Sequence, residues 1–181
     1  MNESAALPGD PDDHTRLERA IRVDHAGEYG AVRIYAGQLA VLGRGGRGEV
    51  LRHMQEQERR HLETFDELVV RRRVRPTALL PVWHLAGWAL GAGTAALGER
   101  AAMACTVAVE EAIDDHYRGQ VESLPEEEAE LRGTIERFRA EELEHRDIGL
   151  AHGAEQAPGY RLLATAIKAG CRAAIWASER V

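Results

Sequence analysis

Four helical apolar rows in this chain each carry a glutamate where a core side chain belongs, and that limits what the chain can fold into. Glu28 falls on the row of Ile21, Val32, Tyr35 and Leu39, while Glu58 and His61 interrupt Leu51, Met54, Phe65 and Leu68. Glu110 lies on the row of Met103, Thr106, Ile113 and Tyr117, and Glu142 with His145 on that of Leu131, Ile135, Phe138 and Gly149. Long helices with short connections pack as a bundle around such rows, so six ionisable side chains are expected to point inward. A buried carboxylate without compensation is costly, and it must take up a proton or meet a cation.

The six residues are two copies of one pattern: a lone Glu, then Glu-x-x-His on the next bundle helix, repeated at an offset of 82 to 84 residues. A Glu and a His three apart share a helix face, so each Glu-x-x-His can offer a carboxylate and an imidazole to one ion. Each lone Glu can bridge or chelate from the neighbouring helix. Four carboxylates and two histidines are the inventory of a dinuclear iron or manganese site in a four-helix bundle, and four negative charges balance two divalent cations. One Glu-x-x-His arises readily on charge-rich solvated helices; two copies, each preceded by an inward Glu at matching distance, do not.

Turn residues at 43 to 48 (GRGGRG), at 76 to 81, near Leu124 and Pro125 and at 157 to 159 separate helices expected at 16–42, 48–72, 82–97, 99–122, 126–150 and 159–179. Nothing alternates as a strand. The expected fold is all-α, a ferritin-like four-helix di-iron bundle with additional amphipathic membrane-interface helices. The 181 residues, 44% of them hydrophobic, suffice for one core. Residues 1–15 are read as a flexible acidic tail and 16–181 as a single domain.

Thirty acidic against 23 basic side chains give a net charge of −7, which disfavours nucleic acid as a partner. Cys105 and Cys171 belong to no metal-thiolate spacing, which argues against structural zinc. The first fifteen residues have neither an apolar core nor an early Arg, and so resemble neither a secretory signal nor a mitochondrial transit peptide. His53, His84 and His152 are single histidines and are read as surface or packing residues. Asp24 and His25, one turn before Glu28, are candidates for hydrogen bonds that orient a ligand, as is Asp147. Asp115 is read as solvated.

Between Arg75 and Glu99 lie 23 residues without a formal charge, long enough to cross a hydrocarbon layer of ~30 Å. A single span there would put Glu28, Glu58 and His61 on one side of a membrane and Glu110, Glu142 and His145 on the other, which one joint site forbids. Pro76, Pro81 and four glycines favour instead a short helix lying in the interface, with Trp83 and Trp88 as anchors. In the last helix Arg161, Lys168, Arg172 and Glu179 form one narrow charged stripe beside a wide apolar face, a second candidate for membrane lipid or for a protein partner.

RVDHAGEYGAVRIYAGQ at 22–38, RVRPTALLPVWHLAGWALGAGTAALGE, ACTVAVEEAIDDHY at 104–117, FRAEELEHRDIGL at 138–150 and the closing AGCRAAIWASER together resemble the demethoxyubiquinone monooxygenase family, from Leu17 to Val181. No ligand position departs from the family pattern. The resemblance implies a peripheral membrane di-iron enzyme that uses O2 to hydroxylate the ring of a polyprenyl demethoxyquinone in the penultimate step of ubiquinone biosynthesis. It implies two iron ions on Glu28, Glu58, His61, Glu110, Glu142 and His145, the six residues reached from periodicity. It also implies that His116 and Tyr117 pass electrons from NADH or a quinol, and it leaves room for a lipid-binding partner protein of the pathway. The expected location is the cytoplasmic face of a bacterial inner membrane, or the matrix side of the mitochondrial one. A substrate pocket is expected near Ile113 and Leu85.

Manganese catalase or a rubrerythrin-like peroxidase could use the same ligands, but the rubredoxin-type cysteines are missing and a soluble peroxidase needs no long uncharged run. Iron storage needs a polar exterior, which the last helix lacks. A non-catalytic scaffold would be expected to have lost a ligand.

Overall fold

The computed structural model describes residues 12–44 and 47–181, and among them every regular element is helical. The six α-helices are α1 (Asp13–Leu42), α2 (Arg47–Arg71), α3 (Leu80–Ala96), α4 (Glu99–Ser123), α5 (Ala129–Ala151) and α6 (Tyr160–Ser178), with short 3-10 turns at Glu126–Glu128 and Ala154–Gln156. Each expected helix is present, and the differences lie at the ends.

Helix α1 starts at Asp13 because the Asp12 carboxylate accepts from the Thr15 backbone N–H at 2.8 Å, capping an amide with no intrahelical acceptor. Of the tail expected at 1–15, residues 1–11 lie outside the described residues. Helix α3 begins at Leu80, before Pro81 rather than after it, since a proline in the first turn lacks only an N–H that would have no partner there. The expected start of α5 at 126 is instead the tighter 3-10 turn behind Pro125. Gly98, at φ +113, lets α4 follow α3 almost without a connection.

Helices α1 and α2 pack together, as do α4 and α5, while α2 meets α5 and α1 meets α4 to close the bundle. The third helix of each half lies on the first: α3 on α1, α6 on α4. The first of these contacts is backbone to backbone. A Cβ on Gly91 would fall 1.9 Å from the Ile34 carbonyl oxygen, and one on Gly37 would fall 2.2 Å from that of Trp88. Helix α6 instead buries Ala164 and Ile167 against Cys105, Ala108 and Val109 of α4.

Two apolar clusters fill the bundle on either side of the inward carboxylates. Ile21, Phe65, Leu68, Tyr117, Leu131, Ile135 and Phe138 form one; Tyr35, Leu51, Met54, Met103 and Val107 anchor the other. Each fully buried aliphatic or aromatic side chain contributes about 1.5–3 kcal/mol, which allows the fold to carry an ionisable layer between them.

No helix among the described residues is long and apolar enough to cross a membrane, as the argument from a joint site requires. Leu85 of α3, Leu97 just past its end, and Leu162 and Trp176 of α6 are nevertheless exposed. Trp83 is half-buried, and its indole N–H donates to Ser178 Oγ at 3.1 Å, tying α3 to the end of α6. Within the charged stripe of α6, Lys168 pairs with Glu111 of α4. Leu85 points to solvent and Ile113 packs into the core; the groove of about 300 Å³ beside α6 is lined instead by Ala112, His116, Arg172, Ile175 and Trp176.

Candidate metal centre

Four helices bring the six inward residues into one buried layer. Glu28 comes from α1, Glu58 and His61 from α2, Glu110 from α4, and Glu142 and His145 from α5, each with 1% exposure or less. They form two overlapping groups whose ligand atoms lie within 4.8 Å of one another: Glu28, Glu58, His61 and Glu142, and Glu58, Glu110, Glu142 and His145. Glu58 and Glu142 are common to both. The sharing therefore falls to the glutamates of the Glu-x-x-His motifs, and each lone Glu serves one group.

The groups are built across the repeat. His61 Nδ1 lies 3.0 Å from Glu142 Oε1 and 3.9 Å from Glu58 of its own motif; His145 Nδ1 lies 3.0 Å from Glu58 Oε1 and 3.3 Å from Glu142. The supporting hydrogen bonds cross in the same way. Tyr117 donates to Glu28, while Tyr35 donates to Glu110 Oε1 at 2.8 Å. Glu141 Oε2 takes His61 Nε2 at 3.0 Å, and Gln57 Oε1 takes His145 Nε2 at 3.0 Å. Phe138 stacks on the His61 ring at 3.9 Å and closes that side to water.

These contacts decide the protonation of the imidazoles. A carboxylate only accepts, so His61 Nε2 carries the hydrogen bonded to Glu141. A neutral His61 then turns the Nδ1 lone pair toward carboxylate oxygens, a repulsive arrangement that only a proton or a metal cation relieves. Buried atoms without a hydrogen-bond partner gather at the same place: Glu28 Oε2, both oxygens of Glu58 and of Glu142, Glu110 Oε2, and Nδ1 of both histidines. In so polar a layer these orphans fit a pair of cations, and the all-oxygen and imidazole donor set suits iron or manganese.

Without cations, protons must take their place. Burial, then repulsion from Glu142, pushes Glu58 and Glu110 well above the usual carboxylate range, and burial raises Glu28 as well. Burial also opposes charge on Glu142, but the protonated imidazoles of His145 and His61 close beside it hold it down at about 2. Burial disfavours the charged form of His61, yet Glu142 and Glu28 outweigh it and raise the imidazole to about 11. His145 moves upward for the same reason, with Glu142 and Glu110 as partners.

The remaining candidates divide. Asp24 is buried, but its partners are His116 Nε2 at 3.0 Å and Gln120 Nε2 at 2.8 Å, not a ligand. His25 bonds Asp66 at 2.9 Å. Asp147 is exposed beside Arg146, so neither it nor the pair before Glu28 orients the centre. Asp115 is exposed and pairs with Arg118; His53 and His152 are exposed, and half-buried His84 bonds Tyr29 at 2.7 Å. Tyr117 touches Glu28, whereas His116 stands further out, between Asp24 and the groove beside α6.

Of the residues that do orient the ligands, Gln57 and Glu141 escape a reading from apolar rows, and Tyr35 enters it only as a core residue of the Glu28 row. The repeat holds the missing signal. Gln57 and Glu141 each precede the Glu of a Glu-x-x-His, and Tyr35 and Tyr117 each follow a lone Glu by seven residues.

Comparison with known proteins points to one family. Residues 15–178 match the family described as ubiquinone biosynthesis protein COQ7. The chain is 63% identical over 176 residues to a 3-demethoxyubiquinol 3-hydroxylase of Rhodospirillum rubrum, covering 97% of this chain and 83% of the relative. It is 59% identical over 169 residues to the mitochondrial NADPH-dependent 3-demethoxyubiquinone 3-hydroxylase of Homo sapiens, covering 91% and 78%. With the mitochondrial 5-demethoxyubiquinone hydroxylase of Saccharomyces cerevisiae it shares 44% over 182 residues, covering 91% and 78%.

Proposed function

The chain belongs to the COQ7 family of ubiquinone biosynthesis proteins, and from that premise we propose that it is a di-iron monooxygenase acting on the ring of a polyprenyl demethoxyubiquinone or its quinol. The reaction is a hydroxylation in ubiquinone biosynthesis. Within it, a ring C–H becomes C–OH with one atom of O2, and the other leaves as water with two electrons and two protons. The observation that carries the reading is the buried layer of Glu28, Glu58, His61, Glu110, Glu142 and His145, with their unpartnered atoms turned inward.

In this reading Glu28 and His61 would hold one iron and Glu110 and His145 the other, with Glu58 and Glu142 available to both. Bound iron supplies the redox chemistry that activates O2. The chain supplies position and dryness. The Tyr117 and Tyr35 hydroxyls fix Glu28 and Glu110, Phe138 covers His61, and the free oxygens of Glu58 and Glu142 allow those carboxylates to shift. Electrons from NADH or a quinol enter past His116 and Tyr117, where the His116–Asp24 hydrogen bond links the groove beside α6 to the interior. Residues 16–181 act as one domain, and the exposed apolar side chains of α3 and α6 rest on membrane lipid or on a lipid-binding partner, at the bacterial inner membrane or its mitochondrial counterpart.

The test is turnover of the iron-loaded protein with a short-chain demethoxyquinol, a reductant and 18O2. One labelled oxygen in a hydroxylated ring is the expected product. Consumption of O2 with unlabelled or unchanged substrate contradicts the assignment.

A further inference from the structure

His61 and His145 are joined, behind the metal layer, by a two-residue bridge. His61 Nε2 bonds Glu141 Oε2 at 3.0 Å, Gln57 Nε2 donates to the same oxygen at 3.3 Å, and Gln57 Oε1 accepts His145 Nε2–H at 3.0 Å. The amide orientation is forced, because Glu141 can only accept. The two positions correspond in the repeat, yet one is a carboxylate and the other a neutral amide.

We infer that Gln57 and Glu141 make the two metal positions unequal, with the ion at Glu28 and His61 bound more tightly than the ion at Glu110 and His145. The inference rests on the two-ion reading above and deepens it. A carboxylate behind a ligating imidazole raises its basicity and fixes its tautomer, and losing such a partner typically weakens metal binding by about 10–100-fold. Only His61 has that support directly. Arg60 Nη2, 3.9 Å from Glu141, is itself half exposed to water and screened, so it does not cancel the charge. Gln57 acts as an orienting spacer that ties the weaker half to the stronger. Glu141 and Gln57 are positioning residues, since neither reaches the space between the carboxylates.

The experiment is anaerobic Co(II) titration of the metal-free full chain, followed by calorimetry and by the visible absorption of bound cobalt. The wild type is expected to fill in two steps about tenfold or more apart. Glu28→Gln, which touches only the His61 group, should remove the tighter step, and Glu110→Gln the weaker. Glu141→Gln should bring the steps together by weakening the first about 10–100-fold. The double exchange Gln57→Glu with Glu141→Gln keeps the bridge but moves its charge behind His145. It should restore two steps with their assignment reversed, a result that loss of structure would not give. Equal steps in the wild type, or a first step unmoved in Glu141→Gln, overturn the inference while leaving the two-ion reading intact. Failure of the wild type to bind cobalt at all overturns both.

Discussion

His61 Nδ1 lies 3.0 Å from Oε1 of Glu142, a residue of the other half of the repeat, and 0.9 Å closer to it than to Glu58 in its own motif, the latter distance being 3.9 Å. Neither half of the chain therefore assembles a metal position alone. Glu58 and Glu142 belong to both groups of candidate ligands, whereas Glu28 and Glu110 each belong to one. Glu58→Gln or Glu142→Gln should empty both positions, and Glu28→Gln or Glu110→Gln should leave one iron per chain. Metal analysis after anaerobic loading and desalting checks this; loss of a single iron in Glu142→Gln would contradict the shared role.

The tyrosine contacts make a second expectation, because Tyr35 holds Glu110 and Tyr117 holds Glu28 in buried surroundings. Replacing either by Phe strands a carboxylate oxygen at about 1–3 kcal/mol. Urea denaturation of the metal-free protein should register similar losses for the two variants, given their equivalent places in the repeat. A neutral Tyr35→Phe would mean that Glu110 does not need its donor.

Much of this was legible in the sequence. Helix count, inward faces and the six ligand candidates follow from periodicity, since a Glu on an apolar row stands out against Leu51 or Ile135. Gln57 and Glu141 do not stand out, because a polar residue beside a ligand looks like any solvated helix position until the helices are packed. Asp24 misled for the complementary reason: its spacing from Glu28 fits a supporting role, but the chain places His116 and Gln120 against it. The partners of Trp83 and Lys168, Ser178 and Glu111, are distant in sequence and emerge only once the helices are packed.

Stability of the metal-free chain should depend on pH in a defined sense. His61 is raised from 6.5 to about 11, so its contribution is present below 6.5 and is lost as pH climbs toward 11. Glu58 and Glu110 are raised and act in the same direction, losing their contribution as pH rises above 4.5. Glu142 is held at about 2, so its contribution exists above 4.5 and disappears as pH falls toward 2. The metal-free Tm should peak at mildly acidic pH and decline through neutrality into the alkaline range. Bound Fe(II) or Co(II) replaces those protons and should abolish the alkaline decline. A metal-free protein that gains stability from pH 6 to 9 would contradict the buried-charge account.

Helix α3 offers a packing test. A Cβ at Gly91 would meet the Ile34 carbonyl oxygen at 1.9 Å, so Gly91→Ala must push α3 off α1, at a cost of about 1–3 kcal/mol or more. Gly93, on the same helix, has nothing within 4 Å of its Cβ position. Gly93→Ala should be neutral or stabilising by up to ~1 kcal/mol. Equal effects in thermal denaturation would remove the case for close backbone contact.

Anomalous diffraction at the iron edge, from crystals loaded anaerobically with Fe(II), tests the central claim most directly. The account predicts two iron peaks inside the bundle, one beside Glu28 and His61, the other beside Glu110 and His145, with Glu58 and Glu142 between them. A single peak, or iron bound only at surface carboxylates, would contradict it.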